Sequence, residues 1–352
     1  VLGPHRKRTM ARKNKPTDHE RNDIAPGLVV KTKKRLVVAA GSSHPELAQQ
    51  VASELGSTLV PTEHRTFASG EMLARFEVSI RGCDIFLIQS FGPPVNEWLM
   101  ELLIMLDAAK RASAKRISVV APYYPYSRQD KKGRGREPIS ARLVADLLKT
   151  AGADRVMSVD LHAAQIQGFF DGPVDHLFAK PVLLEYFERS LSAEDREKLT
   201  VVSPDTGRVR VADTWSDSLA APLAIIHKRR DPNVANQVSV ADIVGNVEGR
   251  VCLLVDDMID TGGTIVKAAQ ALKRNGAERV IVAATHAIFS EPAATRLQDE
   301  SIDEVVVTDS IPLPPEKRFP NLTVLPIAPL LARAIKEVFQ DGSVTSMFDG
   351  AA

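Results

Sequence analysis

The segment Val251-Cys252-Leu253-Leu254-Val255-Asp256-Asp257-Met258-Ile259-Asp260-Thr261-Gly262-Gly263-Thr264 carries the densest chemistry in the chain. An apolar run meets two carboxylates, then a Gly/Thr turn, then a helix with Ile265, Ala268, Ala269 and Leu272 on one face. Gly262 and Gly263 let backbone approach a ligand closely. The N–H groups that open the helix have no partners within it, and with the helix dipole they form an anion site. Thr261 and Thr264 add hydroxyl donors. A phosphate fits this cradle. Asp256 and Asp257 repel phosphate but accept hydrogen bonds from vicinal hydroxyls, so a sugar carrying both a phosphate and a diol satisfies both halves of the segment. It is not a P-loop, because the Gly-Lys-Ser/Thr ending is absent. On spacing alone two other readings stay open: an acidic strand end beside a capped helix, and the paired acids of phosphate-handling magnesium sites in other folds.

Two basic segments come next. Lys228 and Arg230 are one residue apart, so they project alike only from an extended backbone; otherwise Lys228-Arg229-Arg230-Asp231 is a solvated turn. Arg128, Lys131, Lys132, Arg134 and Arg136, with Gly133 and Gly135, form a loop able to close over a triphosphate. Tyr123, Tyr124 and Tyr126 interleave with it, a superficial likeness to single-strand nucleic-acid binding. Adenine stacking or plain packing accounts for them better, and no nucleic-acid partner is expected.

Such residues need a frame. Leu36–Ala40, Asp84–Gln89, Ile117–Ala121 and Val156–Asp160 read as strands, each followed by a helical pattern or a polar loop. Ser43 is expected to cap the helix that starts near Pro45. A second helix carries Leu99, Leu102, Leu103 and Leu106, and a third carries Leu143, Leu147 and Leu148. The rhythm then repeats through Val201-Val202, Ala224–Ile226, Val251–Val255, Val280–Ala284 and Val305–Val307. Alternation of strand and helix predicts an α/β fold with mainly parallel sheets. Two similar units meet near Phe178–Pro181, without a clean sequence repeat between them. Ligands in such sheets lie beyond the carboxyl ends of the strands.

The composition agrees: 352 residues, 44% apolar and 25% charged, are enough for about two cores. No apolar run approaches the ~20 residues that span a bilayer. Cys83 and Cys252, far apart and among strand residues, fit buried thiols in a reducing compartment better than a disulfide framework or a zinc site. Residues 1–35 carry eleven Lys/Arg against three Asp/Glu, while the remainder is net acidic. This basic stretch reads as a disordered, solvated extension. It lacks the apolar core of a secretory signal.

The 251–264 segment resembles the phosphoribosyl-diphosphate motif shared by type I phosphoribosyltransferases and ribose-phosphate pyrophosphokinases. From about Leu36 to Phe348 the chain resembles the pyrophosphokinases. The matches are Phe67-Ala68-Ser69-Gly70-Glu71, Arg81–Phe86, Tyr126-Ser127-Arg128-Gln129-Asp130-Lys131-Lys132, Asp160-Leu161-His162-Ala163, Gln165–Phe170, Ser203-Pro204-Asp205, Lys228-Arg229-Arg230 and the 256–264 loop. Several ordered matches over most of a chain are far more specific than one motif.

The resemblance implies an α/β chain of two similar type I phosphoribosyltransferase domains, each a mainly parallel sheet flanked by helices. An N-terminal domain at 36–180 would hold ATP. A C-terminal domain at 181–338 would hold ribose 5-phosphate, and a segment at 339–352 would return to the first. The implied activity moves the β,γ-diphosphoryl group of ATP to C1 of ribose 5-phosphate, feeding nucleotide, histidine and tryptophan synthesis in the cytoplasm. ATP would be bound by Phe67, Ser69, Gly70, Glu71, Arg128, Gln129, Asp130 and His162, and Mg²⁺ would associate with His162 and Asp205. Lys228 and Arg230 would be catalytic, on a mobile loop. Ribose 5-phosphate would be held by Arg230, Asp256, Asp257, Asp260, Thr261, Gly262, Gly263 and Thr264. A homo-oligomer, a hexamer, with phosphate and ADP as effectors is implied as well.

The chain departs from the family pattern in places. Ser69 replaces the usual Asp, so an acceptor is lost. Arg208 replaces a usual Gly, and Val211 stands at the family's arginine position; Arg208 and Arg210 are the candidates to substitute for it, but the role is not carried over to either. Two rival readings are a type I phosphoribosyltransferase and a non-catalytic regulatory homologue. The first leaves Arg128-Gln129-Asp130 unexplained. The second conflicts with the presence of His162, Asp205, Lys228 and Arg230 together.

Overall fold

Fourteen strands appear in the described part of the chain: β1 Leu36–Ala40, β2 Thr62–Thr66, β3 Met72–Phe76, β4 Asp84–Ile88, β5 Arg116–Ala121, β6 Arg155–Val159, β7 Val174–Leu177, β8 Leu199–Ser203, β9 Leu223–Arg230, β10 Val238–Val244, β11 Val251–Ile259, β12 Arg279–Ala287, β13 Glu304–Thr308 and β14 Leu322–Leu325. The helices are α1 Pro45–Glu54, α2 Val95–Arg111, α3 Ser140–Ala151, α4 Lys180–Ser190, α5 Ala193–Glu197, α6 Val209–Leu219, α7 Gly263–Arg274, α8 Ala293–Arg296 and α9 Ala328–Phe339. The structure is a computed structural model that describes residues 34–230 and 238–348, with backbone alone at 228–230 and 238–241. The expected basic extension therefore lies almost wholly outside the described residues.

The strands form two main sheets. The first has the order β1-β4-β5-β6-β7 and is parallel throughout. The second has the order β10-β9-β8-β11-β12-β13-β14 and is parallel except for β10 at its edge. β2 and β3 make a separate antiparallel hairpin. The α/β expectation with mainly parallel, helix-flanked sheets is met. A repeat that the sequence hides is plain in the topology: β4–β7 lie in order to one side of β1, as β11–β14 lie to one side of β8. Strands β4 and β8 are buried along their whole length, as strands covered on both faces must be.

The change of sheet follows Leu177, and α4 starts at Lys180. Apolar residues weld the halves together. One cluster joins Val38, Leu47 and Phe86 to Phe187, Trp215, Leu253, Leu331 and Ile335. Phe348 is in this cluster, edge-on to Phe178 at 5.3 Å between ring centroids. Cys83 and Cys252 are both buried and unpaired, and burial pushes the Cys252 thiol up to about 12. No described helix is long and apolar enough to cross a membrane.

Several local expectations are corrected. His44, not Ser43, caps α1, its Nδ1 accepting from Leu47 N. The Ser43 hydroxyl instead donates to Gln89 Oε1 and accepts from Ser90 N. Helix α3 buries Ala141, Val144, Ala145 and Leu148, while Leu143 and Leu147 are exposed. β11 does not end at Val255 but carries Asp256 and Asp257 within the strand. The basic stretch after Ile226 is likewise strand as far as Arg230, paired with β10.

A buried polar knot fixes the hairpin to the first sheet. Glu101 on α2 accepts from Ser42 N (2.9 Å), Ser42 Oγ (2.6 Å) and Gln89 Nε2 (2.6 Å), and lies 2.9 Å from His64 Nδ1 on β2. Burial opposes the Glu101 charge, but the bonds from His64, Ser42 and Gln89 outweigh it and hold its pKa down at about 2 against an ordinary 4.5. The unfolded chain therefore binds more protons at Glu101 between these values. The knot's contribution is complete above pH 4.5 and is lost as pH falls toward about 2. Glu101→Gln is expected to lower the unfolding free energy at pH 7 by about 3 kcal/mol. It should also flatten the acid limb of stability, measured by urea titration across that pH range.

Candidate functional site

The acid pair sits where β11 emerges from the second sheet, and the first sheet meets it there. Asp257 is buried, and its Oδ2 lies 2.8 Å from His162 Nδ1, just past the end of β6. Arg208, heading α6, places Nη2 2.5 Å from Asp257 Oδ2 and Nε 3.4 Å from Asp256 Oδ1. The same Nη2 is 2.6 Å from His162 Nδ1, and Nη1 donates to the His162 carbonyl at 3.2 Å. His162 Nδ1 can donate to Asp257 or accept from Arg208, but not both.

Burial pushes Asp256 up to about 8, with the neighbouring Asp257 charge adding to the effect. Burial also opposes the charge on Asp257, but the His162 hydrogen bond and the Arg208 guanidinium outweigh it and hold its carboxyl below the usual range. Within the pair, negative charge is favoured on Asp257 over Asp256.

Beyond the pair, Gly262 adopts φ +74° at the head of α7, and Gly263 opens the helix. No side-chain cap covers the first amides of α7. Arg296 Nη1 donates to the Thr261 carbonyl at 3.1 Å and steadies the turn. Asp260 Oδ2 accepts from Arg128 Nη1 at 2.7 Å. Burial opposes the Asp260 charge, yet hydrogen bonds from Ser290 and Arg128 overcome it and lower its pKa. This ion pair brings a residue expected at nucleotide and a residue expected at sugar phosphate into direct contact.

Behind the site lies a polar seam. Asp160 is half-buried and accepts from Thr285 Oγ1 at 2.6 Å and from Ala179 N at 3.0 Å; loss of solvent around the carboxylate pushes it up to about 6. His286 Nε2 lies 3.0 Å from the Val159 carbonyl, and burial pushes this ring down to about 4.

The remaining expected residues are placed less centrally. Gln129 Oε1 accepts from Ser140 Oγ at 2.6 Å, and Asp130 is buried against Gln165. Phe67, Ser69, Gly70 and Glu71 form the exposed tip of the β2–β3 hairpin. The contacts of that tip stay local: Phe67 N donates to Glu71 O, Ser69 Oγ donates to Glu71 Oε2, and Arg65 stacks over Phe67. Nothing among the described residues joins the tip to the acid pair. Lys228 and Arg230 have extended backbone within β9, the condition their spacing required; their side chains lie outside the described residues, as does the 231–237 stretch.

Asp205 Oδ1 accepts from Gly207 N (2.9 Å) and Arg208 N (3.2 Å). Among the described residues no group of three or more His, Cys, Asp or Glu is arranged around a metal position. The Asp205 carboxylate fits a magnesium ion carried mainly by substrate oxygens and water, not one caged by protein; the His162 ring, a poor direct ligand for so hard a cation, would act through water or the phosphates.

Sequence reasoning singles out Arg208 as a departure but does not place it on the acid pair. Its one signal was a departure from pattern: a bulky cation where glycine was expected. Arg296 and Ser290, which support the turn from β12 onward, carried no signal.

Residues 36–152 match the model for the N-terminal domain of ribose phosphate pyrophosphokinase. Residues 232–349 match that for the phosphoribosyl synthetase-associated domain. A ribose-phosphate pyrophosphokinase of Streptomyces avermitilis is 61% identical over 323 residues, covering 92% of this chain and 99% of that protein. The Mycobacterium leprae enzyme of the same name is 58% identical over 321 residues, covering 91% and 97%. The crystal structure of phosphoribosylpyrophosphate synthetase from Mycobacterium smegmatis superposes with a TM-score of 0.82 at 56% identity, covering 88% of this chain and all of that one. Identity of this order along nearly the whole of both partners places the chain in the ribose-phosphate pyrophosphokinase family.

Proposed function

We propose that the chain transfers the β,γ-diphosphoryl group of ATP to the C1 hydroxyl of D-ribose 5-phosphate, giving phosphoribosyl diphosphate and AMP. The observation that carries this reading is the Arg128–Asp260 contact beside the uncapped start of α7, where the basic loop of one sheet meets the phosphate turn of the other. The amides of Gly263 and Thr264 receive the 5-phosphate, and Asp256 and Asp257 accept the ring hydroxyls. Arg128, Gln129 and Asp130 lie on the nucleotide side with the hairpin tip Phe67–Glu71. The C1 oxygen attacks the β-phosphorus in line. A new O–P bond forms, the bond to the bridging α,β oxygen breaks, and its electron pair leaves with AMP; the hydroxyl proton is released to water. Such transfers need positioning and charge neutralisation more than covalent help. Lys228 and Arg230 supply positive charge to the transferring group. Mg²⁺, bound near His162 and Asp205, would neutralise phosphate oxygens.

The family also motivates the finer assignments. A division at 178–181 into nucleotide and sugar-phosphate halves follows the change of sheet. Assembly into hexamers, with phosphate and ADP as effectors, rests on family membership; the exposed apolar residues Met100, Leu143 and Leu147 suit a covering second copy. Two buried, unpaired thiols fit a reducing cytoplasm.

The deciding assay mixes protein, MgATP and ribose 5-phosphate. AMP is expected only when both substrates are present, together with phosphoribosyl diphosphate. Consumption of phosphoribosyl diphosphate with a free base would favour a phosphoribosyltransferase, and silence in both assays a regulatory homologue.

A second prediction tests the turn itself. A methyl group at Gly262 would be held at φ +74° and would meet Leu297 Cγ at 3.4 Å. The left-handed conformation alone costs about 1–2 kcal/mol in a non-glycine residue. Gly262→Ala is expected to raise the KM for ribose 5-phosphate roughly tenfold, with a smaller change in the KM for ATP. Steady-state kinetics in both substrates would show it, and an unchanged sugar-phosphate KM would speak against the amide cradle.

A further inference from the structure

The tip that the proposed reaction assigns to nucleotide, Phe67–Glu71, is carried by a hairpin that belongs to neither main sheet. Its β3 strand is seated by apolar side chains: Ala74 is buried, and Phe76 packs on the same cluster as Leu102 and Met105 of α2. Its β2 strand has no apolar face and is seated by His64. His64 pairs with Ala74 in the hairpin register, with Nε2 3.1 Å from the Ala40 carbonyl and Nδ1 2.9 Å from Glu101 Oε1. Beyond this rung Arg65, Thr66 and Leu73 are exposed.

Both ring nitrogens face oxygens that accept. A carbonyl can do nothing else, and the Glu101 carboxylate is held as an acceptor by Ser42 N, Ser42 Oγ and Gln89 Nε2. A neutral imidazole has one N–H and serves one of the two oxygens; the imidazolium serves both. Three elements pack against the ring. α2 turns Glu101 to it, with Glu97 one turn earlier left exposed; β1 offers the Ala40 carbonyl, and β3 offers apolar Ala74. Nearby charged groups are engaged elsewhere: Glu63 with Arg75 at 2.9 Å, Arg65 over the Phe67 ring, and His44 on the Asp309 carbonyl at 2.8 Å. The Glu101 contact raises the pKa of the His64 ring above the ordinary 6.5, against the opposing effect of burial. The second proton is therefore bound more tightly in the folded chain. What it stabilises is complete below pH 6.5 and is lost as pH rises through the folded value.

We propose that His64 and Glu101 are positioning residues for nucleotide: their contact seats β2 on the first sheet while the ring carries both protons, so that the Phe67–Glu71 tip is presented to ATP up to neutral pH and is released as the ring is neutralised in alkaline solution. This rests on the nucleotide side of the function proposed above. When the hairpin is seated only part of the time, apparent affinity for the ligand it contacts falls with the seated fraction.

The test is steady-state kinetics in saturating Mg²⁺ from about pH 6.5 to about pH 9, each substrate varied in turn, on the unmodified protein, His64→Leu and His64→Lys. In the unmodified protein the KM for ATP should rise about fivefold or more across this range. His64→Leu has no proton to lose, so its KM for ATP should already be raised by a similar factor at the acid end and stay level. His64→Lys keeps a charged donor throughout. Its KM for ATP should stay low and level, which also covers a leucine variant that does not fold. A ligand indifferent to the hairpin is unmoved by its seating, so at each pH the KM for ribose 5-phosphate should differ among the three proteins by less than about twofold. A level KM for ATP in the unmodified protein, an alkaline rise retained in either variant, a low KM for ATP in His64→Leu at the acid end, or an equal change in the ribose 5-phosphate KM would overturn the inference and leave the proposed function standing. No AMP from the unmodified protein with both substrates present would overturn both.

Discussion

Lys228→Ala is expected to lower kcat by on the order of 10³–10⁵-fold, with modest changes in either KM. In a transfer dominated by charge, a cation placed on the moving phosphoryl group acts mainly in the transition state, so its loss falls on kcat. The sequence supplies a lysine and an arginine one residue apart, and β9 supplies the extended backbone that this spacing needs. β9 pairs with β8, whose end leads into Ser203-Pro204-Asp205 and then Arg208. A solvated basic strand end would behave differently: its removal would change kcat by no more than a few-fold. Steady-state kinetics with both substrates varied distinguishes the two, and a variant within a few-fold of normal would remove Lys228 from the chemistry.

Asp257→Asn should produce the next largest effect, a fall in kcat/KM for ribose 5-phosphate on the order of 10²–10³-fold. Asp257 is the member of the pair that keeps its charge, because His162 and Arg208 both press on Oδ2. Burial and the Asp257 charge push its neighbour Asp256 the other way, up from the usual carboxylate range. The stronger acceptor for a sugar hydroxyl is therefore Asp257. An amide there offers a weaker acceptor and leaves the Arg208 cation without its counter-charge in the buried junction. Asp256→Asn leaves the His162 and Arg208 contacts of Asp257 in place and should cost less. Equal losses for the two substitutions, measured as kcat/KM at pH 7, would contradict this division of roles.

Much of the frame was legible because parallel strands advertise themselves. Val251–Val255 is buried at every position and Leu36–Ala40 at its centre, Val38 and Ala39; both read as unbroken apolar runs. The elements that escaped notice lack that signature. β2 is Thr62-Glu63-His64-Arg65-Thr66 and has no apolar face; β7 and β14 are four residues long. β9 continues through His227, Lys228, Arg229 and Arg230, where composition points to a loop and pairing with β10 decides otherwise. Helix α3 is where the sequence says least about the core face: of Leu143, Leu147 and Leu148 only Leu148 is buried, beside Ala141, Val144 and Ala145.

The site was legible at the phosphate turn, where glycine and helix start are local features. It was not legible across the junction. His162 reaching Asp257, Arg128 reaching Asp260 and Arg208 closing over the acid pair link residues 46 to 132 positions apart. No local spacing rule encodes such contacts. They arise because two sheets of like topology share one apolar core and bring the carboxyl ends of β6 and β11 together.

The central claim is that a sugar phosphate is gripped by backbone at the start of α7 and by the two acids of β11. A crystal structure with ribose 5-phosphate bound tests it directly. The account predicts phosphate oxygens on the amides of Gly263 and Thr264 and ring hydroxyls on the carboxylates of Asp256 and Asp257. Sugar phosphate bound at any other part of the chain, with this turn untouched, would contradict it.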